Sequence, residues 1–187
     1  MRKIEDLKIY IVDSNIETYY ELVETFDNIK NVKVSCKYIQ DFYLKHSNEI
    51  DCLVSPANAF GYMTGGYDAA LSDILGWDFQ KKVQAYIKEH YYGEQPVASS
   101  FIIDTDIKGL KLIHTPSMQY PSLIVDDMVI YHCTRSAIIC ALENDVKCLV
   151  LPAFGGDCGG VSGYVVAQRM KEAIEQLITK KEPRFEF

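Results

Sequence analysis

Six short apolar runs recur along the chain, at residues 8–12, 32–35, 51–54, 101–103, 112–114 and 148–151, and they scarcely alternate apolar with polar side chains. A strand open to water on one face alternates; a strand covered on both faces does not. Helical patterns lie between these runs. Ile16, Tyr19, Val23 and Phe26 share one helical face, and Val166, Met170, Ala173 and Leu177 share another, while residues 79–91 and 129–142 are long enough to be helices. Buried strands alternating with helices specify an α/β layered fold. No repeat, low-complexity block or Pro/Gly/Ser linker divides the sequence, so residues 1–187 are expected to form one domain. Pro183 is expected to end the last helix, and the tail from Lys180 to fray.

Composition narrows the function. Lys and Arg total 19 against 26 Asp and Glu, a formal charge of -7. Such a field repels nucleic-acid phosphates, so general nucleic-acid binding is not expected. No apolar run approaches the roughly 18 residues that cross a bilayer, and the opening residues 1–8 are charged, unlike a secretion signal. A cytoplasmic protein without membrane contact is the expectation. The six cysteines sit mostly in apolar segments without Cys-x-x-Cys spacing, and the four histidines are scattered. They read as reduced packing residues, with neither a metal nor a cofactor implied.

Two strand-to-helix junctions are rich in glycine. The first runs from Ser55-Pro56-Ala57-Asn58 through Gly61 to Gly65-Gly66-Tyr67-Asp68; the second reads Pro152-Ala153-Phe154-Gly155-Gly156-Asp157-Cys158-Gly159-Gly160. Glycine lets successive backbone amides converge on one point and lets a ligand approach the main chain closely. The positive end of the following helix adds to the attraction for an anion, with no Lys or Arg required. Two such loops at the carboxyl ends of strands in one sheet could hold a diphosphate between them. Neither loop is a Walker motif, and neither has the Gly-x-Gly-x-x-Gly fingerprint after the first strand, so kinase, GTPase and ordinary dehydrogenase readings lose support.

The first junction resembles the signature of macro domains, which bind ADP-ribose and related nucleotides. Ser55-Pro56-Ala57-Asn58 stands for the family's Asn-Ala-Ala-Asn, Gly65-Gly66 for the end of its glycine run, and Asp68, ten positions after Asn58, for the Asp that opens its helix. Residues 112–115 resemble the family's internal strand, and Leu151-Pro152-Ala153-Phe154 with its glycines resembles the second phosphate loop. The resemblance runs from about Asp51 to about Leu177 and implies a three-layer αβα sandwich with a mixed, mostly parallel central sheet. Ser55 and Pro56 depart from the family's first Asn and Ala, as in a divergent bacterial or viral branch. Gly156-Asp157 stands where the family tends to have Thr-Gly. Asp tolerates a left-handed turn, but its charge opposes a phosphate unless the carboxylate points outward.

The resemblance implies ADP-ribose, free or on a modified macromolecule, as ligand. Its diphosphate would lie between Gly65-Gly66 and the loop of Gly155, Gly156, Asp157, Cys158, Gly159 and Gly160, with Ala57, Tyr67 and Phe154 also in the pocket. Asp41 is the nearest acidic residue for the adenine amino group, although Tyr38 competes for that position. Asn58 either bonds a distal-ribose hydroxyl or closes its own turn. Asp68 either activates a water for attack at the anomeric carbon or is a first-turn acid favoured by the helix dipole. Aromatic residues beside the loops, Phe60, Tyr62, Tyr67 and Phe154, either line the pocket or cover a core edge. His114, inside an apolar run, reads as a hydrogen-bonded core residue. Two functions follow: a hydrolase acting at the distal ribose on an ADP-ribosyl, phosphate or acyl linkage, or a non-catalytic reader or sequestering protein. A third reading is an α/β structural module whose glycine loops are merely turns.

Overall fold

A computed structural model of the protein describes residues 3–180. Its elements are β1 (Lys8–Asp13), α1 (Ile16–Phe26), β2 (Val32–Cys36), α2 (Ile39–His46), β3 (Cys52–Ser55), α3 (Gly66–Leu75), α4 (Phe79–Tyr91), β4 (Phe101–Asp104), β5 (Lys111–His114), α5 (Met128–Glu143), β6 (Cys148–Pro152) and α6 (Gly163–Thr179). Every strand lies within one residue of its expected bounds. The expectations for Pro183 and the tail beyond Lys180 fall outside the described residues.

The sheet runs in the order β2-β1-β6-β3-β5-β4. All pairings are parallel except β4 with β5 at one edge. Helices α1, α5 and α6 cover one face and α2, α3 and α4 the other, which gives the three-layer sandwich. The strands supply side chains to both layers in turn. Ile9 and Ile11 of β1 enter the first core, Tyr10 and Val12 the second; Leu149 and Leu151 of β6 oppose Cys148 and Val150 in the same way. Exposing either face would forfeit roughly 1.5–3 kcal/mol for each large aliphatic side chain returned to water. That is why the runs lack alternation.

Two helices differ from expectation. Along α1 the buried residues are Thr18, Leu22 and Phe26, whereas Ile16 is 51% and Val23 39% exposed. The buried face is rotated because α6 crosses here at close range: a Cβ on Gly163 would lie 2.8 Å from the Thr18 Cα. A small residue against a small residue sets the contact. Asn15 fixes the helix start by accepting the amides of Glu17 at 2.9 Å and Thr18 at 3.1 Å. Helix α2, not expected from the sequence, is short and buries only Ile39 and Phe42. Its first turn carries Asp41.

Candidate functional site

A cavity of about 900 Å³ opens along the carboxyl ends of β1, β6 and β3. Both glycine loops line it. From the first come Ala57, Asn58, Tyr62, Thr64, Gly65, Gly66, Tyr67 and Asp68; from the second, Gly155, Gly156, Asp157, Cys158 and Gly159. The sheet therefore brings together most of the residues singled out in the sequence.

Asp68 sits in the first turn of α3, 7% exposed, and its Oδ1 accepts the Ser55 hydroxyl at 2.5 Å. Burial pushes its carboxyl up to about 7, while the bond from Ser55 pulls the other way. Gly65 caps the helix with no side-chain bond; its carbonyl accepts the amides of Asp68 at 3.1 Å and Ala69 at 3.2 Å, which leaves the amides of Gly66 and Tyr67 outside those bonds. Gly66 has φ +51° and needs its missing side chain twice over: for the left-handed turn, and because a Cβ there would collide with the Asp157 carboxylate.

Asn58 is largely committed to its own loop. Its Oδ1 accepts the amides of Phe60 at 3.1 Å and Tyr62 at 3.4 Å, and its Nδ2 donates to the Tyr62 carbonyl at 3.1 Å. One amide hydrogen is left for anything else. The Tyr67 hydroxyl is buried and lacks a hydrogen-bond partner among the described residues; burial first, then Asp68 and Asp13, hold it well above the ordinary phenol range.

The second loop is pinned from outside. The Ile124 amide donates to the Gly159 carbonyl at 2.9 Å, and a Cβ on Gly159 would come within 2.6 Å of the Gly155 carbonyl. Phe154, expected in the pocket, is instead fully buried in the core with α5 and α6, because the chain turns after β6 ends at Pro152 and places Phe154 on the same side as Leu149, Leu151 and Ala153. Gly160 closes the turn, its amide donating to the Asp157 carbonyl at 3.0 Å, and does not line the cavity. Phe60 stacks on Tyr120 at 4.8 Å rather than lining it.

Asp41 is exposed on α2 and does not reach the cavity. Tyr38 and Ile39 line that end, together with Asp13, which ends β1. The Asp13 carboxylate accepts the Asn15 amide at 2.6 Å, and its carboxyl is raised by burial first and by the nearby Asp157. Sequence reasoning missed Asp13. Its signal was an acid at a strand's carboxyl end followed directly by a helix cap, Asp13-Ser14-Asn15. Asp157 does not point outward as a phosphate would require; its carboxylate reaches across to Gly66.

His114 is buried, its Nδ1 2.5 Å from the Gln95 Oε1, and burial drives it down to about 3. The ring is neutral and packs away from the cavity lining. All six cysteines are unpaired, and Cys158 alone lies in the cavity wall. No helix among the described residues is long and apolar enough to cross a membrane.

Residues 54–170, more than half of the chain, match the Macro domain family. The chain belongs to the Macro domain family. The Macro domain match contains both glycine loops and leaves β1, α1, β2 and α2 outside it, Asp13 included. An uncharacterized protein of Aquifex aeolicus is 28% identical over 133 residues, 71% of this chain and 77% of that one. The macrodomain of Mycobacterium tuberculosis DarG superposes with a TM-score of 0.59 at 21% identity, covering 69% of this chain and 84% of that one. The Oceanobacillus iheyensis macrodomain, solved with ADP, gives 0.61 at 18% identity over 70% and 71%. At these identities the two structures speak for the fold.

Proposed function

We propose that the cleft binds ADP-ribose, free or joined to a macromolecule, and hydrolyses the bond at the anomeric carbon of its distal ribose. The observation that carries this reading is that residues 64–68 and 155–159 line one cavity of about 900 Å³. That volume lies within the roughly 300–1,000 Å³ typical of small-molecule sites. The diphosphate takes the amides at the start of α3 and the second loop. The adenine lies toward Tyr38 and Ile39, with Asp13 in place of Asp41 as acceptor for its amino group. The distal ribose lies beside Asn58, whose remaining amide hydrogen bonds a ribose hydroxyl.

Asp68 is the general base. A water between it and the anomeric carbon gives its proton to the carboxylate as the new carbon–oxygen bond forms; the bond to the departing group breaks, and that group takes a proton from solvent. A carboxyl held near about 7 is matched to such a task at neutral pH. The six free thiols suit a reducing compartment, and the cytoplasm is the place we assign.

A second reading, a non-catalytic reader or sequestering protein, is favoured by the commitment of Asn58 to its own loop. Incubation with ADP-ribosylated protein and with ADP-ribose-1''-phosphate separates the two. The hydrolase reading expects release of ADP-ribose from at least one, lowered about 100-fold or more by Asp68→Ala, the usual scale of a lost general base. Tight binding with no turnover of either makes the protein a reader. No thermal shift at millimolar ADP-ribose removes both readings.

A further inference from the structure

The walls of the cleft contain Asp13, Asp68 and Asp157 but no Lys, Arg or His among the described residues. A diphosphate bound there would rely on backbone amides alone for positive charge. One of the three acids stands directly in its way. The Asp157 carboxylate crosses from the second loop onto the Gly66 turn, at the start of α3, where a Cβ would collide with it. It also faces Asp13 across the cleft closely enough for the two charges to oppose each other. Asp157 is exposed, and no ion pair or side-chain hydrogen bond holds its carboxylate among the described residues. No such bond would have to break for the side chain to leave the Gly66 turn.

We propose that Asp157 is a specificity-determining residue that selects ligands by phosphate charge. It occupies the diphosphate's place on the Gly66 turn and disfavours each additional negative charge brought there. This inference rests on the ADP-ribose reading of the cleft. The bridging diphosphate of ADP-ribose bears one charge on each phosphate, whereas the terminal phosphate of ADP bears about two at neutral pH. Asp157 therefore works against ADP more than against ADP-ribose. This discrimination is separate from the distal-ribose contacts at Asn58 and Asp68, which a change at Asp157 leaves in place.

Calorimetric titration of the wild-type protein and of Asp157→Asn with ADP-ribose and with ADP tests this. Removing the charge without changing the shape is expected to tighten ADP about tenfold, a change of ~1.4 kcal/mol, and ADP-ribose about threefold. The preference for ADP-ribose over ADP then shrinks by about threefold. Glu5→Gln makes the same change in net charge at an exposed position outside the cleft lining and is expected to leave both affinities unaltered. Unchanged affinities in Asp157→Asn, equal tightening of both ligands, or an equal response to Glu5→Gln overturns the role of Asp157 while leaving the ADP-ribose reading intact. If neither ligand binds either protein, the reading of the cleft falls, and this inference with it.

Discussion

Asp68 is under two opposing influences: burial disfavours its charged form, and the Ser55 hydroxyl favours it. Burial wins, so the carboxyl titrates near 7 in the folded protein against an ordinary 3.8. The folded state binds this proton more tightly than the unfolded chain, so Asp68 favours folding less as pH rises from about 4 to about 7, by up to about 4 kcal/mol, and no further above that. Glu49, held down to about 2 by Lys8 and then His46, acts in the opposite sense at lower pH. A comparison with Asp68→Asn isolates the Asp68 contribution. Urea unfolding from pH 4 to 8 is expected to show the variant gaining on the wild type as pH rises; parallel curves would contradict the buried, proton-retaining carboxyl. Asn58 and Asp68 were legible in the sequence because their spacing belongs to one continuous loop and helix start. Asp13 and the inward turn of Asp157 were not, since they depend on which strand ends meet across the sheet. Phe154 misled for a related reason: adjacency to glycines says nothing about which side of the sheet a residue faces.

At the level of elements, the strands could be read from their runs because burial on both faces removes the ambiguity of alternation. Helix α1 was harder. Ile16, Tyr19 and Val23 make a plausible apolar face with Phe26, yet the close crossing at Gly163 and Thr18 turns the helix so that Leu22 points inward. That rotation is open to measurement. Leu22→Ala removes a fully buried side chain and is expected to cost about 2–5 kcal/mol, whereas Ile16→Ala, at a half-exposed site, is expected to stay within about 0.5–1 kcal/mol. Gly163→Val is expected to destabilise by about 1–3 kcal/mol, because a backbone atom stands where its Cβ would go. Chemical denaturation of the three variants checks the order; an Ile16 change as costly as the Leu22 change would restore the face read from the sequence. Helix α2 leaves no periodicity in the sequence, since only two of its eight side chains are buried.

Across the whole molecule, parallel pairing of β1, β6 and β3 places three strand ends on one edge, and the loops that follow them enclose a single cleft. Each glycine loop is by itself an ordinary turn; the sheet order makes them opposite walls. Segment 119–127 secures the second wall through Ile124, whose Cδ1 would meet a Cβ at Gly155 at 2.9 Å and one at Gly159 at 2.7 Å. These contacts brace the second loop without a ligand, as preorganised binding requires. On the proposed reading both walls grip one diphosphate. A nitrogen-15 correlation NMR titration with ADP-ribose tests it most directly. Saturable shifts with one midpoint are expected at the amides of Gly65, Gly66 and Tyr67 and at those of Gly155, Gly156 and Gly159. Shifts confined to one of the two loops, or no shifts at millimolar ligand, would contradict it.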